Sequence, residues 1–229
     1  MSRSLRSRPT VGVLALQGGV AEHTRTVEAL GARAVAVRRA EHLAGPDGPR
    51  IDALILPGGE SGAIDRLARR FGLFEPLRDA VHGTIPVLGT CAGLILLAAR
   101  VEDPAPGQRS LGGLDITVRR NAIGPQLASA EQEFDVMAAG FTGPVRGALI
   151  RAPEVVGLGP GARAIARRDG RLLGATSVEP GAVVPDAVEP LEPDPDPAAL
   201  RKLGRVTGVS FHPELSNDPS LHRALLALV

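Results

Sequence analysis

The 229-residue chain is predicted to be an α/β protein, built on a central, mostly parallel sheet with helices on both faces. Short apolar runs alternate with helically spaced segments from residue 11 to about residue 100. Three of those strands have notable ends, at Gln17-Gly18-Gly19, Gly58-Gly59-Glu60 and Thr90-Cys91-Ala92. Hydrophobic residues make up 44% of the chain but aromatics only 2%, so the core must be packed from Ala, Val, Leu and Ile.

Val11 to Leu16 (VGVLAL) is a continuous apolar run of the kind a buried strand needs. Val20, His23, Val27 and Leu30 then recur at helical spacing, with Gly31 as the stop. Ala34 to Val37 and Ile51 to Leu56 read as further strands, the latter cut by Pro57-Gly58-Gly59. Ser61 to Phe71, with Gly72 as its cap, and Glu75 to His82 read as helices. Pro86 to Gly89 is a fourth strand and Ala92 to Arg100 the helix after it. In the second half, Leu114 to Val118, Ala148 to Arg151, Ala162 to Arg168, Arg171 to Val178 and Arg205 to Phe211 are expected as strands, and Leu221 to Leu228 as a closing helix. Residues 1–9 read as a disordered basic tail and 10–229 as one domain. A Pro- and acid-rich stretch at about 179–204 reads as an exposed loop insertion.

Composition removes several function classes. Net charge is +1, and the few aromatics leave no stacking platform, so no nucleic-acid partner is expected. No run of 18 apolar residues exists, so no membrane span is expected. The five His residues show no metal-ligand spacing, and no GxGxxG or GxxxxGK[ST] is present; neither a metal nor a cofactor is expected. A single Cys forms no internal disulfide and suits a reducing, cytoplasmic setting.

That Cys carries the chemistry. Cys91 stands in PVLGTCAGLILLA, between an apolar strand and an apolar helix. A sharp strand-to-helix turn lifts such a side chain above the sheet and places it by backbone N–H groups that favour thiolate. A free Cys is more often a small buried hydrophobe; the small neighbours Gly89, Ala92 and Gly93 argue for the turn. His212 leaves the end of a strand in GVSFHPEL, with Glu214 two residues on. A base oriented by a carboxylate is what a thiol nucleophile requires, although taken alone a loop His with a solvated Glu is the commoner reading. The bare turn at LPGGES can present N–H groups to an oxyanion. Arg120 and Arg151 are of a type that clamps a carboxylate, although surface arginines are the commoner reading.

In order, the segments LQGGVAEH (16–23), LPGGES (56–61), GTCAGL (89–94), RRNAIGPQ (119–126), LIRAP (149–153) and SFHPEL (210–215) resemble the glutaminase subunits of pyridoxal 5'-phosphate synthases, within the class I glutamine amidotransferases. The resemblance runs from about residue 10 to the C-terminus, apart from 179–204. It implies a flavodoxin-like three-layer sandwich and hydrolysis of L-glutamine to glutamate and ammonia. It also implies that Cys91 is the nucleophile, His212 the base and Glu214 its orienting carboxylate. Gly59 and Ala92 would form the oxyanion hole; Gly59, Glu60, Ser61, Arg120, Ile150 and Arg151 would bind glutamine. The implied partner is a (β/α)₈-barrel synthase subunit that takes up the ammonia and wakes a nearly silent glutaminase on docking. Gln17 would face it.

The chain departs from the family pattern at Gly62 and Ala63, where hydroxyls are usual, and at Ile123, Pro125 and Ala130, which replace an aromatic, an Arg and a Phe. Three other readings compete with this one. One is a glutaminase feeding imidazole-glycerol-phosphate or purine synthesis, against which LQGGVAEH and IRAP argue. The second is a non-catalytic binding module, against which the intact Cys91, His212 and Glu214 argue. The third is a serine-type hydrolase, for which no GxSxG exists.

Overall fold

The computed structural model describes residues 8–124, 131–178 and 202–229. The expected N-terminal tail through residue 7, the departures at Pro125 and Ala130, and loop residues 179–201 lie outside the described residues.

The first half follows the alternation read from the sequence: β1 (Thr10–Leu14), α1 (Val20–Ala29), β2 (Arg33–Val37), a small hairpin of β3 (Ala44–Gly45) and β4 (Gly48–Pro49), β5 (Ala53–Leu56), α2 (Ser61–Arg70), α3 (Phe74–His82), β6 (Val87–Thr90) and α4 (Ala92–Leu97). There follow β7 (Ala98–Glu102), β8 (Leu114–Arg119), β9 (Glu131–Val136), β10 (Val145–Ala148), β11 (Glu154–Leu158), β12 (Ala162–Arg168), β13 (Arg171–Ser177), β14 (Val206–Val209) and α5 (Ser220–Leu226).

Five strands run parallel in the order β2-β1-β5-β6-β14. β14 also pairs antiparallel with β13, which carries the sheet on through β12, β9 and β10. Successive residues of a strand point to opposite faces, and here both faces are buried. Leu54 and Leu56 pack with Ile64 of α2, Leu77 of α3 and Leu94 of α4. Ala53 and Ile55 join Val27 of α1 with Leu221 and Leu225 of α5. The result is the expected three-layer α/β sandwich with an aliphatic core. No helix among the described residues is long and apolar enough to cross a membrane.

Three expectations shift. The helix after Cys91 stops at Leu97, because Ala98 turns extended (φ −68°, ψ 141°) and starts β7, which pairs with β8. The strand expected at Ala148 to Arg151 lies earlier, at Val145–Ala148; Arg151 adopts φ +45°, which a strand excludes. Strands β9 and β11 were not anticipated.

Close packing of α4 over the sheet depends on Gly93. A Cβ there would overlap the Leu56 carbonyl oxygen of β5, and backbone cannot swing aside. Ala is favoured over Gly in a helix by about 1 kcal/mol, whereas overpacking a rigid neighbour costs roughly 1–3 kcal/mol. Gly93→Ala is therefore expected to lower the melting temperature by several degrees; an unchanged or raised value would show that α4 has room to move.

Candidate active site

The C-terminal ends of β1, β5, β6 and β14 share one edge of the sheet, because these strands are parallel neighbours. β1 is flanked by β2 on one side and β5 on the other, and α1 and α2 leave to opposite faces. A crevice opens at such a switch point, so residues just past these strands are brought together there.

Cys91 follows β6 immediately and has φ +49°, ψ −101°, a conformation that L residues avoid. It costs roughly 1–3 kcal/mol and persists because its surroundings impose it. The Cys91 N–H donates to the Val209 carbonyl of β14 at 2.8 Å. Gly89, one turn below, has no room for a side chain against Gly93 and Leu97. The thiol is 5% exposed and faces the Ile150 carbonyl oxygen, with Sγ at 3.9 Å.

His212 lies beyond β14. Its N–H donates to the Ala148 carbonyl at 2.9 Å, and the Ala148 N–H donates back at 3.2 Å. The preceding Phe211 is fully buried and stacks on Phe134 with ring centroids 4.0 Å apart, which anchors the strand exit. Pro213 opens a 3₁₀ turn, Pro213–Ser216, that folds Glu214 back beneath the imidazole. His212 Nδ1 and Glu214 Oε1 are 2.8 Å apart, so Nε2 is left for Cys91. Gly58 lies edge-on to the ring, leaving no space for a Cβ. Burial alone would lower the His212 pKa, but hydrogen bonds to Cys91 and Glu214, and their charges, raise it to about 10. Burial likewise opposes ionisation of Glu214, yet hydrogen bonds from His212 and His23 hold its carboxyl well below the usual range. The His212 ring thus lies between the sulfur of Cys91 and the carboxylate of Glu214.

The turn after β5 stands beside this pair. Gly19 N–H donates to the Gly58 carbonyl at 3.2 Å, and Glu60 N–H donates to Gln17 Oε1 at 2.7 Å, tying the β1 and β5 loops together. Gln17 is exposed. Its amide oxygen fills the space that a side chain at Gly59 (φ +157°) would need. The Glu60 carboxylate caps α2, accepting from the Gly62 and Ala63 N–H groups. It also accepts from Arg120 at 3.0 Å. Ser61 is buried and its Oγ lacks a partner among the described residues. Ile150 is exposed on the rim above Cys91, with Arg151 beside it. Contacts thus link Cys91, His212, Glu214, Glu60 and Arg120 with the Gly58-Gly59 turn and the Ile150 carbonyl, while Ala92, Ser61 and Arg151 adjoin them in the chain.

Three residues at the site escaped the sequence reading. His23, read only as part of a helical stripe, is fully buried, with Nε2 3.4 Å from Glu214 Oε1 and 3.1 Å from Thr90 Oγ1. Thr90 Oγ1 also accepts the Gly58 N–H at 3.1 Å. His222, on α5, approaches His23 Nδ1 with Nε2 at 2.8 Å. A His on the apolar face of a short helix was the available signal; a buried imidazole needs partners, and those lay far off in sequence.

Residues 13–180 match the SNO glutamine amidotransferase family. The chain is 45% identical over 221 residues to the pyridoxal 5'-phosphate synthase subunit PdxT of Clavibacter sepedonicus, covering 96% of this chain and 91% of that one. It is 46% identical over 225 residues to the PdxT subunit of Acidothermus cellulolyticus, covering 97% and 95%. Among solved structures, a crystal structure of a glutamine amidotransferase aligns with a TM-score of 0.74 at 37% identity, covering 95% of this chain and 97% of that one.

Proposed function

This chain belongs to the SNO glutamine amidotransferase family, glutaminases that supply ammonia for vitamin B6 synthesis, and we propose that its reaction runs through Cys91, His212 and Glu214. The observation that carries the assignment is the meeting of Cys91, strained at the end of β6, with a His212–Glu214 pair at the end of the adjoining β14.

The Cys91 thiolate attacks the side-chain amide carbon of glutamine, forming a C–S bond and moving the carbonyl electrons onto oxygen. Backbone N–H groups of Gly59 and Ala92 receive that oxyanion. Imidazolium His212 passes its Nε2 proton to the amide nitrogen, the C–N bond breaks, and ammonia leaves. Neutral His212 then takes a proton from water as its oxygen attacks the thioester, and glutamate departs with Cys91 restored as thiolate. Glu214 holds the Nδ1–H throughout, which fixes the ring and its tautomer. Arg120 and Arg151 supply cations for the α-carboxylate of glutamine, beside Gly59, Glu60, Ser61 and Ile150. The ammonia acceptor is a pyridoxal 5'-phosphate synthase subunit, proposed to be a (β/α)₈ barrel docking over the exposed Gln17 loop. Cytoplasmic residence suits a lone reactive thiol.

Trapping tests the reading. Full-length chain mixed with synthase subunit is treated with a glutamine-mimicking diazoketone and analysed by peptide mass spectrometry. A single adduct on Cys91, suppressed by excess glutamine, is expected. No adduct, or one elsewhere, would leave only a binding module on this fold.

A further inference from the structure

We propose that His23, its tautomer fixed by His222, is the positioning residue that directs a second buried N–H onto Glu214 and so keeps that carboxylate aimed at His212. The inference rests on the triad proposed above and extends it by two side chains, across the sheet end to α5.

The geometry favours one placement of the protons. His222 is fully buried, and its Nδ1 has no partner among the described residues. An orphaned buried N–H costs more than an orphaned lone pair whose group remains uncharged. The favoured neutral form therefore carries its proton on Nε2, 2.8 Å from His23 Nδ1. Burial pushes the His222 pKa down to about 3, consistent with the neutral form. His23 Nδ1 must then accept, which places the His23 proton on Nε2. That nitrogen lies 3.4 Å from Glu214 Oε1 and 3.1 Å from Thr90 Oγ1.

The consequence falls on Glu214. Its Oε1 receives His212 on one side and His23 on the other, while Oε2 has no partner among the described residues. Without His23, one oxygen would be held by His212 alone and the carboxylate could turn about its terminal bond. Thr90 extends the coupling to the oxyanion turn, since the hydroxyl beside His23 also holds Gly58 N–H. The remaining ionisable group near His222 is Asp218, whose carboxylate accepts from the backbone N–H groups of Arg146 and Ser220.

A pair of isosteric amides separates positioning from packing. The amide nitrogen of Gln lies near the place of Nε2, and the amide oxygen of Asn can take the accepting place of Nδ1. His23→Gln keeps a donor for Glu214, whereas His23→Asn keeps only the side facing His222. Both are assayed as full-length chain with synthase subunit, alongside thermal melts. His23→Asn is expected to lose roughly tenfold to a hundredfold in kcat with little change in KM for glutamine, and His23→Gln to recover most of that loss. Equal losses in both variants, or a kcat near wild type in His23→Asn, would overturn the proposal. Should the His23 variants fail to melt cooperatively, His222→Leu and His222→Gln decide it. A kcat loss in His222→Leu that His222→Gln restores supports the relay; its absence refutes it. Alkylation of Cys91 by iodoacetamide across pH separates the two levels of the reading. If His212→Asn leaves that profile unchanged, the triad itself fails. If His212→Asn alters it and His23→Asn does not, only the His23 role fails.

Discussion

Cys91→Ala is expected to abolish glutamine hydrolysis, by on the order of 10⁵-fold, while leaving the fold intact. The sulfur is the only atom the substitution removes. The Cβ stays, so the φ +49° turn keeps its shape and its strain, and the Cys91 N–H bond to Val209 is untouched. Buried Ala in place of a buried Cys keeps the Cβ packing and gives up the sulfur's contacts with the Ile150 carbonyl and His212. What disappears is the atom that forms the covalent intermediate. No other thiol exists in the chain to replace it. Ammonia release, measured with the synthase subunit present, should fall to background while the melting curve moves by only a few degrees. Turnover near a tenth of wild type would mean that the amide is attacked by another group, and the assignment of Cys91 would be wrong.

The parts of this site differ in how far the sequence exposes them. The Cys91 turn is legible locally, because a strand, a small residue, Cys, two small residues and an apolar helix are contiguous. The His212–Glu214 pair is legible as a base with its carboxylate, but its approach to Cys91 depends on β14 lying next to β6, a pairing that no local pattern specifies. Resemblance to other glutaminases supplied that step. The His23–His222 contact spans 199 positions and joins two helices on one face of the sheet, so periodicity marks each as buried without pairing them. Strand β9 escaped for a different reason. Its residues EQEFDV put Phe134 and Val136 inward and acidic side chains outward, and that acidity masks the alternation. At Ile150 and Arg151 the apolar run suggested a strand, yet the chain leaves extended pairing after Ala148 has bonded His212. That departure is what brings the Ile150 carbonyl over the thiol.

His212→Asn should suppress turnover by roughly 10²–10⁴-fold, and it should also reshape the dependence of stability on pH. The Asn amide can donate to Glu214 in place of the Nδ1–H but cannot shuttle a proton. Both the ionisation of Cys91 and the protonation of departing ammonia then fall to water. The stability effect follows from linkage. The folded-state pKa of His212, about 10, lies above its ordinary 6.5. Between those values His212 holds in the fold a proton that it releases in the unfolded chain. The stabilisation from His212 is thus complete below pH 6.5 and is lost as pH rises through 10, with a slope of at most about 1.4 kcal/mol per pH unit. The acid side is governed by other groups. The Glu214 carboxyl is depressed, so its contribution is present above its ordinary 4.5 and lost as pH falls. The unfolded chain protonates His222 below 6.5, while burial keeps it neutral in the fold down to about 3, so this group too removes stability as pH drops. Wild-type melting temperature should accordingly fall as pH drops below about 6.5 and again as it rises towards 10. His212→Asn removes the alkaline limb that belongs to the imidazolium and leaves the acid limb in place. A variant whose alkaline limb matched wild type would show that the proton between Cys91 and Glu214 is not held on His212, even if its activity were lost.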